Sequence, residues 1–259
     1  MNVEVYLTAS SPTEDDLKGK SVIVVDVFRA CSTIVTALNH GARAVIPVAD
    51  MAEAGRIGAH MDTSTALLGG ERNGTKIEGY ALGNSPQEYT AEAVRGKTVV
   101  LNTSNGTRAV TQARGAAELA IGCFLNVSKV IEFAWKAEHD VAILCAGADG
   151  RVALEDLLCA GLILNQLLAG SDSRDLSDAA HIALSLYAYD KDSLTHALAQ
   201  SNHAQRLIDL GFEEDVEYCA RIDALPLLPV YRDSRLVLDN PEDAAISAKL
   251  TPSETTAGS

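Results

Sequence analysis

"GKSVIVVDVFRA", residues 19–30, sets the fold class. The run from Ser21 to Val27 is β-branched and apolar with no polar alternation, the pattern of a strand covered on both faces. A helical pattern follows from Ala30 to His40. The same kind of run recurs in "RAVIPV" (43–48), "TVVLNT" (98–103), "AELAIG" (117–122) and "VAILCAG" (141–147). Further helical patterns span 127–137 and 154–169, so the chain reads as βαβα units and predicts an α/β fold with a mostly parallel sheet. Several acid-capped helices are expected between 175 and 223, and "LPLLPVY" and "RLVL" are candidates for late strands.

With 259 residues, 47% of them hydrophobic, the chain can bury a full core. One domain over 1–238 is expected, or two subdomains near 1–95 and 96–238, followed by a polar tail over 239–259. The longest nearly apolar run, 157–169, contains Asn165 and Gln166 and falls short of the roughly 20 apolar residues of a membrane span. Met1–Ser10 lacks a basic n-region and an apolar h-region, so a cytoplasmic protein is expected. The five cysteines form no CxxC pair and read as buried small hydrophobes. A formal charge of −14 argues against a nucleic-acid partner. An anionic ligand then needs local positive charge, and Arg29, Arg72, Arg108 and Arg151 lie in Gly/Asn/Asp-rich stretches that can supply it.

"GKSVIVVDVFRA" is echoed by "GKTVVLNTSNGT" from Gly96, and each unit later reaches a Gly-Ala pair, a strand and a helix. The echo admits an internal duplication of βαβα units or two units shaped by the same physics. Either way Asp26 and Thr103 fall at the carboxyl ends of strands, where open α/β sheets bind ligands. A carboxylate ending an apolar strand is costly to bury alone, so Asp26 should meet a cation or a set of amides. "TSNGT" (Thr103, Ser104, Asn105, Gly106, Thr107) and the adjacent Glu155 and Asp156 mark two more strand ends. For the last two, a helix-dipole role is an equal alternative. Ser85-Pro86-Gln87-Glu88 predicts a capping box, which leaves Glu88 structural. Asn84 stays a candidate because the following helix start offers free amides to an anion.

The Gly-Lys-Ser/Thr pairs precede strands and lack the upstream glycine of a phosphate loop, and no GxGxxG follows a strand. For a phosphorylated ligand, Cys31 has Ala37 instead of an arginine six positions on, and Asp26 has Phe28 instead of a second acid two positions on. The six histidines, His203 among them, lie outside the polar loops. Metal-assisted attack by water remains, with Asp26, Glu71 and Asp156 as oxygen ligands for Mg²⁺ and arginines and loop amides on the phosphoryl oxygens.

"DVFRACSTIVTAL", "GGERNGTKIEGYALGNSPQEY", "TSNGTRAV" and "CAGADGRVALEDLLCAG" together resemble the 2-phosphosulfolactate phosphatase family, Mg²⁺-dependent enzymes of coenzyme M biosynthesis. The resemblance runs in order from residue 26 to 161. It implies a three-layer α/β/α fold with a mostly parallel or mixed sheet, and hydrolysis of (2R)-2-phospho-3-sulfolactate to sulfolactate and phosphate. Carried over by position, Asp26, Glu71 and Asp156 become the metal or water-activating carboxylates, with Glu155 interchangeable with Asp156. Arg29, Arg72, Asn84 and Thr103–Thr107 become the substrate-binding groups, and "GGERNG" and "GNSP" become loops lining an anion site. Cys31 and Ser104 depart from the family pattern, and Ser104 keeps its hydroxyl. Alternatives are a phosphatase of another small phosphorylated acid, a noncatalytic binder of phosphometabolites and a structural subunit of a homo-oligomer.

Overall fold

The computed structural model describes residues 2–62, 64–169 and 176–239, so the tail expected beyond Asp239 lies outside the described residues. The strands are β1 Val3–Tyr6, β2 Ser21–Val25, β3 Ala44–Val48, β4 Ala66–Arg72, β5 Thr75–Lys76, β6 Thr98–Asn102, β7 Glu118–Gly122, β8 Val141–Cys145, β9 Pro229–Arg232 and β10 Arg235–Leu238. The helices are α1 Glu14–Leu17, α2 Ala30–Asn39, α3 Met51–His60, α4 Ala91–Val94, α5 Gly106–Ala113, α6 Val127–Lys136, α7 Leu154–Leu167, α8 Asp178–Asp190, α9 Leu194–Ala199, α10 Asn202–Asp209 and α11 Glu213–Cys219. All five strand runs and both late strands are present, with ends that differ from the quoted runs except in β10.

The strands form one mixed sheet in the order β1-β8-β2-β7-β9-β10-β3-β6-β4-β5. β1, β8, β2 and β7 are mutually parallel, as are β3, β6 and β4. The β9–β10 hairpin joins these blocks through three successive antiparallel pairings, so the blocks run in opposite senses. The echoing units interlock: β2-α2-β3 crosses from the first block to the second, and β6-α5-β7 crosses back. Strands from before and after residue 95 therefore alternate within each block.

Successive strand residues point to opposite faces. Val22 and Val24 meet Ile34 and Val35 of α2 and Val110 of α5, while Ile23 and Val25 meet Val130 of α6 and Leu158 and Ile163 of α7. Across the second block α3 covers the latter face, with Ala54 packed on Val48 and Val100. This is a three-layer α/β/α sandwich. Burying each such Val or Ile contributes about 1.5–3 kcal/mol, and every residue of β2 is buried, which explains its unbroken apolar run. The five cysteines are free and buried, and among the described residues no helix is long and apolar enough to cross a membrane.

Two local expectations are corrected. Gly69–Arg72 of "GGERNG" forms the end of β4, not a loop, and only Asn73 and Gly74 make the turn into β5. Gly70 has φ +148, and a Cβ there would collide with the Asn102 backbone of β6. The Ser85 capping box does not form, because Pro86–Glu88 is a single 3₁₀ turn with no side-chain cap. Ser85 Oγ donates instead to Asp215 Oδ1 at 2.6 Å, and Glu88 Oε2 accepts from Gly83 N at 2.7 Å.

Candidate active site

The carboxyl ends of β2, β4, β6 and β8 meet at one cavity of about 420 Å³. Asp26 follows β2 and is 5% exposed. Its Oδ1 accepts from Ala30 N at 3.1 Å in the first turn of α2, and Oδ2 accepts no hydrogen bond among the described residues. Burial pushes the Asp26 carboxyl up to about 6, reinforced by the charges of Glu155 and Glu71 and opposed by His203 and the Ala30 amide. Glu71, near the end of β4, accepts from Ser104 N at 2.7 Å through Oε1 and from Gly74 N at 2.8 Å through Oε2. It thereby pins the loop after β6 and the β4–β5 turn to one cavity wall.

Adjacent residues on a helix point about 100° apart. At the start of α7, Glu155 lines the cavity and Asp156 does not. Asp156 Oδ1 accepts from Val27 N at 2.8 Å and Oδ2 from Gly147 N at 3.0 Å, which clamps together the ends of β2 and β8. The expected catalytic and metal-binding role for Asp156 is therefore corrected to a backbone clamp, and the cavity-facing acid is Glu155. Burial, with the charges of Asp26 and Glu155, holds the Asp156 carboxyl well above the usual range. Glu155 Oε1 is 2.9 Å from His203 Nδ1, and its Oε2 is buried without a hydrogen-bond partner.

His203, at the start of α10, was expected outside the site but lines the cavity, edge-on to the Phe28 ring at 6.2 Å between centroids. Burial by itself would depress its pKa. The hydrogen bond and charge of Glu155, with Asp26, outweigh burial and hold the imidazole above its ordinary value.

Arg29 lines the cavity with its charge already matched. Nη1 donates to Asp215 Oδ2 at 2.7 Å, Nη2 donates to Gly74 O at 2.8 Å, and the guanidinium lies over the Phe212 ring at 4.3 Å. Arg72 does not reach the cavity. It donates to Asn102 Oδ1 at 2.7 Å and to the Glu71 carbonyl at 2.9 Å, so its expected substrate contact is corrected to a tie between β4 and β6. Asn84, Thr103, Ser104 and Asn105 line the cavity, and Asn84 Oδ1 is buried and unpartnered. Thr107 lies behind them, its Oγ1 donating to Thr103 O at 3.0 Å. Gly106 does not line the cavity either, but passes against Asp26.

The family profile described as 2-phosphosulpholactate phosphatase matches residues 6–234. The chain belongs to that family. A "Probable 2-phosphosulfolactate phosphatase" of Caldanaerobacter subterraneus subsp. tengcongensis is 42% identical over 231 residues, covering 88% of this chain and 95% of the relative. Proteins of the same name from Thermotoga maritima and Clostridium tetani are 40% and 36% identical, covering 91% and 90% of this chain and 98% of each relative. Membership places the chain among the phosphoric monoester hydrolases.

In this 2-phosphosulpholactate phosphatase family member, sequence reasoning missed His203, which lines the cavity, and Asp215, which pairs with the cavity-lining Arg29. Both come from short helices late in the chain. Asp215 sits in an acidic first turn that reads as a helix-dipole feature, and His203 follows a Ser201 N-cap with no motif around it. A Cβ on Gly106 would lie 2.6 Å from Asp26 Oδ2 and 2.5 Å from Ala30 Cβ. Gly106→Ala is therefore expected to cost about 1–3 kcal/mol of stability and to displace Asp26. Denaturant unfolding checks the first effect and kcat the second, and a kcat equal to wild type would remove this packing constraint on Asp26.

Proposed function

We propose that this chain is a Mg²⁺-dependent phosphatase that hydrolyses (2R)-2-phospho-3-sulfolactate to sulfolactate and phosphate in the cytoplasm. The observation that carries the metal is a set of oxygen acceptors lacking donors at one cavity wall: Asp26 Oδ2, Glu155 Oε2 and Asn84 Oδ1. Hard oxygens suit Mg²⁺, which takes a few carboxylates and keeps several waters. Among the described residues no group of three or more His, Cys, Asp or Glu is placed to hold a metal ion, so Asp26 and Glu155 would supply only two of its ligands. Bound there, Mg²⁺ supplies Lewis acidity and neutralises phosphoryl charge.

The chain's own groups account for the rest. The Ser104–Asn105 segment and the amino end of α5 offer amides to phosphoryl oxygens, and His203 lines the same cavity. Water attacks phosphorus, the bond from phosphorus to the C2 oxygen breaks, and that oxygen takes up a proton. A carboxylate of the cavity wall that is not holding the ion accepts the proton of the attacking water. The names of the relatives support the substrate.

Phosphate release with Mg²⁺ and with chelator, from phosphosulfolactate, phospholactate, phosphoglycerate and an aryl phosphate, tests the proposal. Metal-dependent release fastest from phosphosulfolactate is expected. Release that ignores chelator would reject the metal, and preference for phospholactate would reject the substrate.

Acid should weaken the metal. Asp26 is neutral below about 6 and ionised above it, so Mg²⁺ must displace a proton at low pH. Calorimetric titration should give a Mg²⁺ affinity that falls up to about tenfold per pH unit on the acid side of this midpoint and levels off above it. An affinity flat between pH 5 and 7 would remove Asp26 from the ligand set.

A further inference from the structure

The acids of the cavity wall raise a question of charge. A substrate carrying phosphate, carboxylate and a second strong-acid group enters a protein of net charge −14, into a cavity lined by Asp26, Glu71 and Glu155. Arg29 is spent on Asp215, with both side chains 2% exposed, and Arg72 lies outside the lining. The positive charge still available to the substrate stands elsewhere.

It stands at the mouth. Arg151 lines the cavity, is exposed, and has no side-chain hydrogen bond or ion pair among the described residues. Arg206 lines it too, with Nη1 3.2 Å from Asp149 Oδ2 and Nη2 donating to Asn73 O at 3.2 Å. Those side chains are 46% and 68% exposed, against 21% for His203 and 1% for Glu155, so the cavity deepens from Arg206 to Glu155. An ion pair this exposed is weak and screened by solvent, and an incoming anion can displace Asp149 from Arg206. His203 and Arg206 are three residues apart on one face of α10, a rise of about 4.5 Å. A phosphate near His203 and an anionic group on the neighbouring carbon match that step, and a guanidinium fork suits such an oxyanion.

We infer that Arg151 and Arg206 form the subsite for the substrate's second strong-acid group and set the preference for phosphate esters that bear a sulfonate on the neighbouring carbon. This rests on the phosphatase reading above and assigns recognition to residues outside the acidic wall.

The test uses the full chain, R151A, R206A and the double variant, with two readouts. The first is kcat/KM for phosphosulfolactate relative to phospholactate. This ratio should fall at least about tenfold in each single variant and about a hundredfold in the double, chiefly through KM, with melting temperatures within a degree or two of wild type. The second is the thermal shift given by sulfolactate minus that given by lactate, which should disappear in the double variant. An unchanged ratio and an unchanged shift difference would overturn the inference while leaving the phosphatase intact. If no ester is hydrolysed by wild type but the sulfolactate preference exists and needs the arginines, the phosphatase reading fails and the subsite stands. If wild type shows no sulfonate preference in either readout, the subsite assignment fails.

Discussion

Asp26→Asn is expected to lower kcat by on the order of 10²–10³-fold while leaving the fold in place. The substitution keeps the shape of the side chain and an oxygen for the Ala30 amide, so the first turn of α2 retains its hydrogen bond. It removes the negative charge and replaces one acceptor oxygen with an NH₂ donor, which neither a cation nor the proton of an attacking water can use. Stability should hold or rise slightly, because a carboxylate 5% exposed among Glu71 and Glu155 is costly to keep ionised. Steady-state kinetics beside thermal unfolding checks both halves. Near-normal turnover in a folded Asp26→Asn variant would reduce Asp26 to a helix-start residue and move the chemistry to Glu71 and Glu155.

Asp215→Ala should produce the largest loss of stability, about 3–5 kcal/mol, or a fall of roughly 6–20 °C in melting temperature for a chain of this size. Asp215 accepts from Arg29 Nη1 at 2.7 Å and Ser85 Oγ at 2.6 Å, and it joins α11 to the start of α2 and to the Pro86 turn. Removing it leaves a buried guanidinium with no counter-charge. Replacing the pair by apolar residues, Arg29→Met with Asp215→Leu, should recover most of the lost stability, because the desolvation cost of both charges goes with them. Activity should not return with the stability, because Arg29 lines the cavity and its side chain shapes that wall. A double variant with restored stability and wild-type kinetics would make the pair purely architectural. An Asp215→Ala protein as stable as wild type would show that solvent reaches Arg29.

The strand runs were legible because burial on both faces leaves an unmistakable mark, an uninterrupted β-branched segment such as Ser21–Val25. The end of β4 was not, since its Gly69-Gly70 pair reads as a turn. Those glycines exist because Tyr89 and the Asn102 backbone press against them, contacts that no local pattern announces. The opposed parallel blocks were also invisible. They depend on a hairpin from residues 229–238 inserting between β7 and β3, far away in sequence.

In the site, Asp26 and Thr103–Asn105 could be chosen beforehand because polar residues directly after apolar strands are at the open end of the sheet, Asn84 because a helix start follows it, and Glu71 as a hard oxygen donor that the family resemblance also marks. The sequence alone thus determined the fold class, the family resemblance and the acids of one cavity wall. Tertiary structure decided that Glu155 and not Asp156 faces the cavity, that Arg29 is matched by Asp215 while Arg72 ties two strands, and that His203 completes the wall. A side chain's role follows from which donors, acceptors and charges surround it. Here those partners come from as far as 186 residues along the chain, as in the Arg29–Asp215 pair.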